Sequence, residues 1–106
     1  MAKYMAQFSY TKDGLQGLIK EGGTKRREAT EQLVKAMGGK LEAYYFAFGD
    51  YDGIAIFEGP DNINAAAVSM VVNASGAVSV KTTVLLTPEE VDKAVKMGVP
   101  YRAPGK

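Results

Sequence analysis

The segment KLEAYYFAFGDYDGIAIFEGP, residues 40–60, constrains this chain more than any other. Two runs rich in aromatic and β-branched residues flank Gly49-Asp50-Tyr51-Asp52-Gly53, which has the composition of a turn. So short a link cannot return the chain for parallel pairing, so the two runs must form an antiparallel hairpin. Pro60 stops the second strand, because it has no amide to donate to a ladder.

The flanks of this hairpin read alike. Lys3 to Tyr10 alternates, with Tyr4, Ala6, Phe8 and Tyr10 on one parity and Met5, Gln7 and Ser9 on the other, which is strand periodicity. Thr11 offers an N-cap, and Leu15, Leu18 and Ile19 follow at helical spacing. Gly22-Gly23 breaks that helix, since glycine weakens a helix interior. Thr24 can cap a second segment with the stripe Ala29, Leu33, Ala36 and Met37. Lys25, Arg26, Glu28 and Glu31 then lie on its wet face, and Gly38-Gly39 ends it.

Beyond Pro60, Asp61 caps a helix with the stripe Ile63, Ala66, Ala67, Met70 and Val71. Ala65, Val68 and Val72 lie off that stripe, so the helix is expected to be buried on more than one side. Ala77 to Leu86 is a strand. Thr87-Pro88-Glu89-Glu90 opens a last small helix, with a capping Thr, Pro at the first helical position and Glu completing a capping box. Val91, Ala94 and Val95 form its stripe, and the tail from Val99 reads as extended.

Two βαβ-like halves joined by a hairpin match the ferredoxin-like arrangement. The expected fold is therefore α+β: a βαββαβ sandwich with a four-stranded antiparallel sheet and an extra C-terminal helix. At 106 residues, one domain over residues 1–106 is expected, with a core of modest size. Helices on one face leave the other face open, and neither parity is polar: Leu41, Ala43 and Tyr45 alternate with Tyr44, Phe46 and Phe48, and Ile54 and Ile56 alternate with Ala55 and Phe57. Such a patch marks an interface, so a homodimer with sheet against sheet, a dimeric α/β barrel, or a higher homo-oligomer is expected.

Composition excludes several chemistries. The chain has no cysteine and no histidine, which removes thiolate catalysis, disulfides, zinc–cysteine sites and the commonest general base. A net charge of +1 offers no broad field for nucleic acid. The N-terminus shows no signal-peptide pattern and no run is long enough to span a bilayer, so a cytoplasmic location and no membrane partner are expected.

Gly38-Gly39-Lys40, then Gly49-Asp50-Tyr51-Asp52, then Glu58-Gly59-Pro60-Asp61 with an alanine-rich helix, then Gly76 and a Thr-rich strand, together resemble the GYD-domain family. Gly49, Tyr51 and Asp52 correspond to the residues of its name. The resemblance implies a ferredoxin-like subunit related to dimeric α/β-barrel proteins, with no cofactor. Relatives by fold include cofactor-free oxygenases, isomerases, haem-degrading enzymes and ligand-binding regulators, and a shared fold does not assign function.

Candidate site residues each carry two readings. Tyr51 and Asp52 either shape the hairpin turn or form the polar mouth of a cavity, with Tyr51 donating and Asp52 orienting it or acting as a base. Glu58 shares a face with Ile54 and Ile56. It is either half of a salt bridge at the sheet edge or a catalytic carboxylate, and Lys81 on the last strand is the obvious cation if the register allows.

Arg26, in the run Lys25-Arg26-Arg27, either is solvated or holds an anion at a helix start. The spacing there is not that of a P-loop. Tyr4, Tyr10, Tyr44, Tyr45 and Phe57 either pack in the core and interface or line an aromatic ligand pocket. Asp50, Asp52, Glu58 and Asp61 lack calcium-loop spacing, so no metal site is expected. Two functions follow: binding of a small apolar or aromatic molecule between sheet and helices, with cofactor-free oxygenation or isomerisation as its chemistry, or a non-enzymatic module acting through oligomer assembly.

Overall fold

The computed structural model describes residues 1–106. Its elements run β1 (Ala2–Tyr10), α1 (Lys12–Glu21), α2 (Gly23–Ala36), β2 (Lys40–Phe46), β3 (Gly53–Gly59), α3 (Asn62–Ala74), β4 (Val78–Leu85) and α4 (Pro88–Val95). The sheet has the order β2-β3-β1-β4, and every neighbouring pair is antiparallel. This is the expected α+β, ferredoxin-like architecture with an additional C-terminal helix. No helix is long and apolar enough to cross a membrane.

The expected caps form. Thr11 Oγ1 accepts from the Gly14 amide at 3.2 Å, and Asp61 Oδ1 accepts from the Asn64 amide at 2.8 Å. Thr87 and Glu90 close a reciprocal capping box on α4. The second helix differs, because it begins at Gly23 and Thr24 does not cap it. Gly22, at φ 87°, separates α1 from α2 in a conformation that costs a residue without Cβ little.

Register sorts the sheet into two faces. The helix-covered face has the rows Val84–Tyr4–Phe57–Leu41, Thr82–Ala6–Ala55–Tyr44 and Val80–Phe8–Gly53–Phe46. Tyr4 and Phe57 stack with centroids 5.3 Å apart, and with Val34 and Ala65 they form the core. Gly53 leaves room for Phe8: a Cβ there would collide with the Phe8 ring.

The helices turn other faces inward than the sequence stripes suggest. On α2, Val34 is buried and Arg26, Thr30, Leu33 and Met37 are half-buried, whereas Ala29 and Ala36 are exposed. On α3, Ala65 is buried and Val68 and Val72 are half-buried, while Ile63, Met70 and Val71 face outward. Both helices carry two plausible apolar stripes, and packing chose the one whose side chains fit over the sheet. In this chain α3 is therefore covered on one side only, not on several. On α1 the same holds for Leu15 and Ile19, which are exposed.

Two stability predictions follow from this packing. Gly53→Ala should lower the unfolding free energy by about 1–3 kcal/mol, the usual cost of overpacking, read by urea denaturation. At Asp61 the Asn64 amide holds the carboxyl below its ordinary value. The cap therefore contributes above the unfolded-state pKa and is lost as pH falls through the depressed folded value. Asp61→Ala should lower the urea midpoint at neutral pH, and its deficit against the parent chain should shrink in strong acid.

Candidate functional site

The helix layer lies on the inner face with α2 over β2 and α3 over β4. The furrow between the two helices runs over β1 and β3, the two central strands. It deepens into a half-open cavity of about 120 Å³. Phe8, Tyr10 and Tyr44 come from the sheet side, Arg26, Thr30 and Leu33 from α2, and Val68 and Val72 from α3.

The aromatic end of this cavity is tightly built. The Phe8 ring lies 5.4 Å from Tyr44, 5.7 Å from Tyr10 and 6.4 Å from Phe46, centroid to centroid. Tyr44 and Phe46 meet edge to face at 5.4 Å. Burial, reinforced by the Tyr10 hydroxyl, pushes the Tyr44 phenol well above its ordinary value. The Tyr44 hydroxyl is therefore a donor throughout the physiological range rather than a base. Arg26 is the one cation on the cavity wall. Its only carboxylate partner is Glu21, at a loose 3.8 Å.

Four of the residues expected from sequence to line a ligand pocket, Tyr10, Arg26, Tyr44 and Phe57, line the cavity. Tyr4 is 1% exposed in the core, and its hydroxyl donates to Asn62 Oδ1 at 2.7 Å. Tyr45 lies on the opposite face of the sheet in the row Lys81–Gln7–Ile54–Tyr45, where it is 67% exposed.

The four residues expected to do chemistry do not converge. Asp52 Oδ2 accepts from the Tyr10 amide at 2.8 Å, and the Asp52 amide donates to the Phe8 carbonyl at 2.8 Å. Asp52 thereby ties the hairpin to the end of β1. Tyr51 sits beneath the Lys81 ammonium, 5.9 Å from ring centroid to Nζ.

Glu58 is half-buried on the open face, in register with Lys3 on β1 and Lys40 on β2. Lys81 lies opposite Gln7, four residues along β1 from Lys3, so it is not the partner of Glu58. A bulge in β2 between Leu41 and Ala43 brings Glu42 into the same cluster. There Lys3 Nζ reaches Glu42 Oε2 at 3.0 Å and holds the Glu42 carboxyl below its ordinary value.

Thr30 and Val80 were not singled out from the sequence. The signal for Thr30 was available: Arg26, Thr30, Leu33, Val34 and Met37 recur at i, i+4, i+7, i+8 and i+11, a better helical stripe than the one through Ala29. Tyr44 shares parity with Phe46, which placed it on one face without saying which face the helices cover.

A model of the GYD domain matches residues 4–95, and the chain belongs to that family. No curated protein and no solved structure matches the chain.

The Asp52 geometry yields a direct test. Asp52→Ala removes a charged acceptor from the Tyr10 amide and should cost about 1.5–3 kcal/mol, measured by urea unfolding. Asp52→Asn keeps an acceptor oxygen and should recover most of that loss. Equal destabilisation by both substitutions would contradict the anchoring role.

Proposed function

We propose that this GYD-domain protein binds a small apolar or aromatic molecule in the cavity between sheet and helices, with an anionic or hydrogen-bond-accepting group of the ligand directed at Arg26 and Tyr44. The observation that carries this reading is the pairing of an apolar, aromatic-walled cavity with one weakly engaged guanidinium and a phenol kept protonated by burial. A guanidinium and a phenol are both donors, so they select an acceptor. The cavity volume limits the ligand to about a single ring, since an apolar cavity of roughly 150 Å³ holds benzene. Any chemistry there, such as a cofactor-free isomerisation, would use Tyr10, Tyr44 and Arg26. Glu58, Lys81 and Tyr51 lie away from this cavity, and Asp52 is occupied with the backbone of β1.

Benzoate and benzene serve as probes in an NMR titration of the full chain. Benzoate should shift resonances of Phe8, Tyr44 and Val80 saturably, and Arg26→Met should weaken it by about tenfold or more, the value of one charge-assisted hydrogen bond. Benzene binding should survive that substitution. Shifts scattered over the surface, or none that saturate, would refute the reading.

A second reading is that the chain acts through assembly. It is favoured by the cavity volume, which falls below the roughly 300 Å³ at the lower end of ordinary ligand sites. It is also favoured by apolar residues on the surface, among them Ile63, Met70 and Val71 on α3. On this reading the open sheet face, with its row Thr83–Met5–Ile56–Ala43, packs on a second copy as a homodimer or a larger ring.

A further inference from the structure

The chain is longer than its residue count requires. A compact protein of this length has a radius of gyration near 13 Å, whereas here it is 16.8 Å and the longest dimension is 56 Å against 33 and 22 Å. The C-terminal arm that follows β4 stands clear of the other elements, none of which packs substantially on α4. No residue after Leu85 is buried. Leu86, Val91, Val95, Met97, Val99 and Tyr101 are all exposed.

The arm is nonetheless well specified. Its helix has a complete capping box and Pro in its first turn. Val91 and Val95 are one turn apart, so they share one side of it. A capped amphipathic helix with nothing against its apolar side lacks the tertiary packing that supplies most helical stability.

The charges indicate where this side fits. On the open face of the sheet, the row Leu85–Lys3–Glu58–Lys40 carries both signs and includes the Lys3–Glu42 pair. The row Lys81–Gln7–Ile54–Tyr45 differs. Its single charge, Lys81, has no carboxylate within ion-pair distance, and its neighbours Ile54 and Tyr45 are apolar or aromatic. The first turns of α4 hold Glu89 and Asp92, which likewise have no cation partner. By contrast, the outer side of α3 bears no charge at all between Asn62 and Ala74, so nothing there complements an acidic helix start.

The arm leaves β4 at the end marked by Leu85, and Lys81 lies four residues back along the same strand. Reaching that row within one chain requires a full reversal, and only Leu86 and Thr87 separate Leu85 from α4. A second copy facing the sheet needs no reversal.

We propose that the C-terminal arm, Leu86–Lys106, is exchanged between two copies of this chain. Val91 and Val95 of each arm lie over Ile54 and Tyr45 of the other copy, and Asp92, which flanks that side of the helix, lies near its Lys81. Exchange is reciprocal about a two-fold axis, so both arms and both sheet ends are covered at once. The inference rests on the assembly reading above and adds the element that crosses the seam.

Sedimentation equilibrium of the full chain should show a dimer. Val91→Glu with Val95→Glu should weaken dimerisation by about tenfold or more, with an unchanged urea midpoint for the monomer because both side chains are exposed in the single chain. The chain has no cysteine, so single thiols report position cleanly. On oxidation, a mixture of Val95→Cys and Tyr45→Cys chains should form the mixed disulfide in preference to either symmetric one.

A monomeric parent chain would overturn both the assembly reading and the arm exchange. A dimer that persists unweakened with both glutamates would overturn the exchange alone. So would a Val95→Cys, Tyr45→Cys double variant that closes its disulfide within one chain, or preferential cross-linking of Val95→Cys to Met70→Cys on α3.

Discussion

The register of β1 between β3 and β4 is the constraint on which the rest depends. Because strand side chains alternate, that single register sends Tyr4, Ala6, Phe8 and Tyr10 under the helices and Lys3, Met5, Gln7 and Ser9 to the open face. A slip of one residue would exchange the two sets. Phe8 then locks the register on one side, because only Gly53 opposite it leaves space for the ring. Asp52 locks the same end by accepting from the Tyr10 amide. The glycine and aspartate of the turn thus act on a strand distant in sequence, not only within their own hairpin.

The two faces carry different work. The inner face provides a small aromatic core and, beside it, the cavity with Arg26 and Tyr44. The open face provides an ionic row, an apolar row and a row whose Lys81 lies over Tyr51 without a carboxylate partner. Only 8 of the 106 residues are buried, which is little for a chain whose apolar residues make up 46% of its composition. Much apolar surface stands on the outside of α1, α3 and the arm. Burial of that surface by association would supply stability that the isolated chain does not obtain from its own core. Ligand binding and assembly are compatible on this scaffold, since they draw on opposite faces of one sheet.

The acidic residues of the hairpin region show how local context and tertiary context divide. Asp61 was legible as a helix cap because the cap, the preceding Pro60 and the helix are contiguous. Asp50 and Asp52 were legible as turn residues for the same reason. The partner of Asp52 was not, because the Tyr10 amide is 42 residues away. For Glu58 the sequence offered Lys81 as a cation, whereas the register set Lys3 and Lys40 across from it. Parity says which residues share a face within one strand, but it carries no information about offset between strands.

The sequence by itself determined the element order, three of the four helix caps, the hairpin and hence the ferredoxin-like topology, and it excluded thiol and imidazole chemistry. These depend on interactions within a few residues or on composition. Only the tertiary structure decided which stripe of α2 and α3 faces the sheet, that Arg26 turns into the cavity, that Tyr45 faces away from it, and that the C-terminal arm stands apart. α2 and α3 each offered more than one stripe that could face the sheet. The choice between them was made by the opposing layer, where Tyr4 and Phe57 pack with Val34 and Ala65. That fit is a property of side chains brought together from distant segments, and no local pattern encodes it.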